Sequence, residues 1–172
     1  LMPKTNFLGN QIYSDEKFLP DDSEMKRRLE NYYRPYHQKI ESLLEEKLAE
    51  FGRVLLWDAH SIRRFVPTIG KEPFPDLILG DDDGKSASGE IIEIALNNLK
   101  TGKYGVSHNF PFKGGYITRH FGNPEKNIHA LQLEMAKTNY MNDDELIFNE
   151  NRANKIRDVL RPVFESLIEH LI

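Results

Sequence analysis

The stretch that most constrains the fold is Val54-Leu55-Leu56-Trp57-Asp58-Ala59-His60-Ser61. An apolar run behind a charged segment predicts a buried strand, because it is too short and too apolar for a surface helix. It ends in Asp58 and His60, and side chains alternate across a strand, so both point to one face. In an open α/β sheet, ligands gather in the crevice beyond the carboxyl ends of the strands, where such a pair is placed for chemistry. The alternative is a strand end whose polar residues only satisfy nearby backbone groups. The D-x-H pattern alone does not separate the two.

The 172 residues make one domain, long enough for a sizeable core. With 29% charged and 39% hydrophobic residues the composition is that of a soluble globular protein. No apolar run approaches the roughly 20 residues that span a bilayer, and no secretory signal is visible. There is no Cys, which excludes disulfides and thiolate metal sites. A formal net charge of -4 argues against nucleic acid as a partner. Any metal site must be built from the six His and the carboxylates. The chain opens on Leu1, so Met2 is an initiator behind an extra residue or the chain is the downstream part of a longer protein.

Residues 1–22 show no clean period and predict an irregular arm packed on the rest. From Ser23, apolar residues from Met25 to Phe51 recur at three- and four-residue steps and predict a long helix. Ser23 or Asp22 can cap it, Pro35 kinks or breaks it, and Gly52 stops it. Tyr32, Tyr33 and Tyr36 are expected in the core. Asp76–Gly80 predicts a second strand, and Asp81-Asp82-Asp83 an acidic turn, since EF-hand spacing is missing. Ser86 or Ser88 caps a helix with a stripe of Ile91, Ile92, Ala95, Leu96 and Leu99, ended by Gly102. Tyr104–His108 is a short strand, followed by a long polar loop from Asn109 to Gly122. Such a Gly-, aromatic- and Arg-rich loop inside a compact domain is usually functional. Ile128–Met135 is a further strand on which Gln132 and Glu134 share a face, and a buried carboxylate there needs a purpose or a partner. A last helix from about Asn149 is interrupted by Pro162. This order predicts α/β, with helices on both sheet faces.

Asp58-Ala59-His60-Ser61, Asp76-Leu77-Ile78-Leu79-Gly80, Phe112-Lys113-Gly114-Gly115-Tyr116-Ile117-Thr118-Arg119-His120-Phe121-Gly122 and Leu131-Gln132-Leu133-Glu134 together resemble the N-formylglutamate amidohydrolase (deformylase) family. Tyr32-Tyr33-Arg34-Pro35-Tyr36-His37 looks like the family too, so the resemblance runs from near Tyr32 to the C-terminus. The block from Phe112 to Arg119 is its specific part. The resemblance implies a three-layer α/β sandwich with a mixed, mostly parallel central sheet flanked by helices, similar to zinc exopeptidases and aspartoacylases. It implies a cytoplasmic, zinc-dependent hydrolase that converts N-formyl-L-glutamate to formate and L-glutamate in histidine degradation. The alternatives are a zinc hydrolase of another N-acyl amino acid, or a catalytically incomplete binding domain of the same fold.

The resemblance also implies that His60 is a zinc ligand. The family's other two ligands come earlier, near a Pro-His and an acidic segment, and neither is present, which fits a single hydrolase domain lacking its N-terminal part. Asp58 is expected to orient a neighbour rather than bind metal. Glu134 matches the position of the general base in related zinc hydrolases, the alternative being a structural carboxylate paired with an Arg. Arg119 suits a bidentate clamp on a substrate carboxylate, because its planar fork matches that geometry. Arg63 is a second candidate for substrate binding and Asn109 a weaker one. His108, His120 and His129 are further candidate ligands. The expected partner is a small N-formyl amino acid, with no nucleic acid or membrane, and the oligomeric state is open.

Overall fold

The computed structural model describes residues 3–6 and 8–172. Its frame is a four-stranded mixed sheet of β1 (Val54–Ile62), β2 (Leu77–Gly80), β3 (Val106–His108) and β4 (Ile128–Ala136), in the order β1-β4-β2-β3. The β1–β4 and β2–β3 pairs are parallel and the β2–β4 pair is antiparallel. Strand alternation divides the sheet chemically. Leu77, Leu79, Leu131 and Leu133 form one buried face with Leu55 and Trp57 packed alongside, covered by α3 (Gly89–Leu99) and α5 (Glu150–Leu171). The opposite face carries Asp58, His60, Gln132 and Glu134, and the short helix α4 (Tyr116–Phe121) packs against its strands β4 and β1. This is the expected mixed sheet flanked by helices.

The first long helix divides into α1 (Asp22–Arg28), a π-helical turn (Leu29–Tyr33) and α2 (Arg34–Phe51). Its cap is Asp21, whose carboxylate accepts from the Glu24 N–H at 2.8 Å, rather than Asp22 or Ser23. Pro35 stands in the first turn of α2, directly after the π-helical turn, so the interruption expected there takes the form of a widened turn in a helix that continues. Gly52 ends α2 in the left-handed conformation, with φ 76°. The tyrosine expectation fails: Tyr32, Tyr33 and Tyr36 are exposed. Helix α2 leans on the domain through half-buried His37, Ile40 and Leu48 and buried Leu44, one narrow stripe, and the tyrosines fall largely outside it.

Helix α3 ends at Leu99 without help from Gly102. Gly102 is small for a different reason: a Cβ there would meet Val159 Cγ2 of α5 at 2.7 Å. Helix α5 starts on Asn149, whose side chain accepts from the Arg152 N–H, and runs through Pro162 without a break. The N-terminal arm is irregular as expected, but most of its described residues are exposed rather than packed. Among the described residues, no helix is long and apolar enough to cross a membrane.

Candidate active site

In the parallel β1–β4 pair, Asp58 stands beside Gln132 and His60 beside Glu134. Registered partners share a face, so four polar side chains converge on a sheet surface that would otherwise be apolar. His60 Nε2 lies 3.0 Å from Asp58 Oδ1, and His60 Nδ1 lies 4.0 Å from Glu134 Oε2. The Glu134 side chain is only 10% exposed, whereas that of His60 is 47% exposed, so the imidazole is the solvent edge of a buried carboxylate pair. Burial pushes the Glu134 carboxyl above the usual carboxylate range; His60 opposes that shift and Asp58 adds to it. Among the described residues the one ion pair of Glu134 is with His60, and no Arg or Lys lies in ion-pairing range of it. Asp58 Oδ2 is buried and has no hydrogen-bond partner among them either. The arrangement offers a carboxylate suited to accepting a proton, next to an imidazole open to solvent.

An imidazole that donates Nε2–H to Asp58 keeps its lone pair on Nδ1, on the Glu134 side. That is the form of a metal ligand oriented by a carboxylate. A catalytic zinc ion, however, takes three protein donors. Among the described residues no three His, Asp or Glu side chains are gathered where they could share a cation. These residues therefore fit one corner of a zinc centre and not a complete one. The three other candidate histidines have contacts of their own. His108 Nε2 bonds the buried Asp81. His120 stacks on Tyr116, with ring centroids 4.9 Å apart. His129 accepts from the Ser88 N–H through Nδ1, and burial holds its pKa below the ordinary value.

The long loop after β3 is half helix. Its Gly114-Gly115 turn enters α4 directly above the polar face, with the Gly115 N–H donating to Gln132 Oε1 at 2.6 Å. Gly80, beside Gln132 in the β2–β4 register, makes this approach possible: a Cβ there would meet Gly114 N at 2.5 Å and Lys113 C at 2.6 Å. Arg119, on α4, donates from Nη1 to Gly114 O and is exposed, with no carboxylate in ion-pairing range among the described residues. Arg63 is placed differently. Its Nε donates to Glu145 Oε2 at 2.8 Å, so its charge is already matched. Asn109 is a latch between strand ends, donating from Nδ2 to Asp81 Oδ1 at 2.7 Å and accepting the Asp81 N–H through Oδ1 at 3.0 Å. The expected acidic turn is formed, with Asp81 Oδ1 accepting from the Gly84 N–H. Sequence reasoning gave no role to Gln132 or Gly80; the signal for Gln132 was its shared parity with Glu134 on a strand that is otherwise apolar except for His129.

A family model described as N-formylglutamate amidohydrolase matches residues 1–141, so the likeness includes the N-terminal arm as well as the segment from Tyr32. The chain is 39% identical to the N-formylglutamate deformylase of Pseudomonas putida over 171 residues, 98% of this chain and 63% of that protein. It is 40% identical to the N-formylglutamate deformylase of Pseudomonas aeruginosa, covering 64% of it. The chain thus spans a little under two thirds of the length of these relatives. The crystal structure of an N-formylglutamate amidohydrolase from Ralstonia eutropha superposes with a TM-score of 0.74 at 27% identity, covering 87% of this chain and 56% of that one. A gene product of Agrobacterium tumefaciens shares the fold, with a TM-score of 0.69 at 17% identity over 98% of this chain and 62% of that one.

Proposed function

Because the chain belongs to the N-formylglutamate amidohydrolase family, we propose that it carries the face on which N-formyl-L-glutamate is hydrolysed to formate and L-glutamate. The observation that supports this most is the in-register pairing of His60 with the buried Glu134, with Asp58 bonded behind the imidazole. In the reaction, water adds to the formyl carbon, the C–N bond breaks, and the proton taken from water returns to the departing nitrogen. Glu134 is the group assigned to accept and deliver that proton. Arg119 is assigned to a substrate carboxylate, since its guanidinium lies exposed at the rim without an acidic partner among the described residues. Arg63 and Asn109 are not assigned to substrate, because Glu145 and Asp81 already engage them.

Zinc at His60 belongs to the same proposal. When bound, the ion would supply a polarised, acidified water, and His60 held by Asp58 would be one of its donors. The proposal places the enzyme in the cytoplasm, in keeping with a metabolic reaction between small soluble molecules.

The test is release of formate and glutamate in equal amounts from N-formyl-L-glutamate, compared with N-acetyl-L-glutamate and N-formyl-L-alanine. Preferred turnover of N-formyl-L-glutamate is expected. Preference for another acyl group would move the protein to a different amide hydrolase activity, and no turnover of any of the three would leave a catalytically incomplete binding domain.

A further inference from the structure

We infer that Gln132 is a positioning residue that fixes the Arg119 guanidinium through a single peptide plane. The inference deepens the reading of Arg119 as the carboxylate clamp and rests on it. It starts from a cost: Gln132 is 4% exposed on β4, flanked on both sides by strands, and a buried amide without partners is unfavourable. Its Oε1 is matched by one donor from outside the sheet, the Gly115 N–H at 2.6 Å.

That N–H and the Gly114 carbonyl are two ends of the same peptide unit. The carbonyl accepts from Arg119 Nη1. A trans peptide is planar, with its C=O and N–H directed oppositely, so the bond to Gln132 sets the direction in which the carbonyl holds Arg119. Both residues flanking this plane are glycines, and Gly114 stands at φ 111°, so no side chain of their own resists its rotation. The resistance comes from the floor. Gly80 lets the backbone of Lys113 and Gly114 rest on β2, and a Cβ on Gly115 would lie 3.0 Å from Gln132 Oε1. The strand that carries Glu134 therefore also carries, two residues earlier on the same face, the acceptor that aims Arg119. Proton acceptor and clamp are spaced by one rigid element.

The experiment compares the natural enzyme with Gln132→Met, which keeps length and removes the strong acceptor, and with Gln132→Asn, which is too short to reach. In both, amide exchange at Gly115, followed by NMR, should accelerate by roughly tenfold or more as the bond is lost. KM for N-formyl-L-glutamate should rise by roughly tenfold, the loss of one charge-assisted contact, while kcat stays within about threefold and its pH profile is unmoved. In an Arg119→Ala background, Gln132→Met should raise KM no further. Unchanged Gly115 exchange, a fall in kcat at constant KM, or additive KM effects would each overturn the inference. Melting temperatures identify a variant that does not fold, and the other variant then decides. If the natural enzyme releases no formate, the proposed function fails by itself. Gly115 exchange and the NMR line width of the Arg119 side chain still decide whether Gln132 holds the plane.

Discussion

Replacing Gly80 by Ala tests whether the Gly114-Gly115 turn is seated on the sheet. An ideal Cβ at Gly80 would stand 2.5 Å from Gly114 N, 2.6 Å from Lys113 C and 3.0 Å from Gly114 Cα, all backbone atoms that cannot turn aside as a side chain can. Relaxed contact needs roughly 3.5 Å, so the turn must lift by about 1 Å. The bond from Gly115 N–H to Gln132, now 2.6 Å, would then open to a length at which it no longer counts as one. Overpacking costs roughly 1–3 kcal/mol and the lost hydrogen bond about 0.5–1.5 kcal/mol, together roughly 1.5–4.5 kcal/mol. For a domain of this size that corresponds to a fall of about 3–18 °C in Tm. The assay is thermal unfolding followed by circular dichroism, with KM for N-formyl-L-glutamate measured on the same samples. Gly89→Ala is the control, because nothing lies within 4 Å of its ideal Cβ; it should leave Tm unchanged or raise it. If Gly80→Ala melts with the natural protein and binds substrate equally well, the seating of this turn has been misread.

Three further outcomes are expected. Arg119→Lys should raise KM by about tenfold to a hundredfold with little change in kcat, as a bidentate contact to a carboxylate becomes a point contact; steady-state kinetics without that rise would remove Arg119 from the site. Arg63→Ala should leave KM unchanged but cost about 1–3 kcal/mol of stability in urea titrations, because its partner Glu145 has a side chain only 6% exposed and would lose a charged donor; a large KM effect would return Arg63 to the candidates. His129 has its folded pKa lowered, chiefly by burial, so below the ordinary histidine value the unfolded chain takes up a proton that the folded chain refuses. Stability should therefore fall as pH drops through that window, by at most about 1.4 kcal/mol per pH unit for this one group. Urea midpoints compared between neutral and mildly acidic pH should show a shallower acid slope in His129→Gln, and an identical slope would contradict the assignment.

The features legible in the sequence were those with a strict period. Alternation placed Asp58 with His60 and Gln132 with Glu134, and a helical stripe located α3 and α5. What could not be read was which strand lies next to which. The site exists because β1 and β4 pair directly although more than sixty residues of chain run between them, and no local pattern encodes that choice. The same blindness explains Arg63 and Asn109: their partners Glu145 and Asp81 are 82 and 28 residues away. The tyrosines failed for a different reason. A helical period shows that residues share a side, not that anything covers it, and Tyr32 remains 64% exposed. Helix α4 was hidden in a loop because it is six residues long and has no side-chain cap to announce it.

The proposed function assigns Glu134, buried beside His60, as the proton acceptor of an amide hydrolysis. The most direct measurement is kcat for formate release by Glu134→Gln, with metal content and Tm determined on the same preparation. Glutamine keeps the size and hydrogen bonding of glutamate but cannot take the proton. A fall in kcat of roughly 10²–10⁴, in a folded protein with unchanged metal content, is the predicted result. Near-normal turnover in that folded variant would contradict the account.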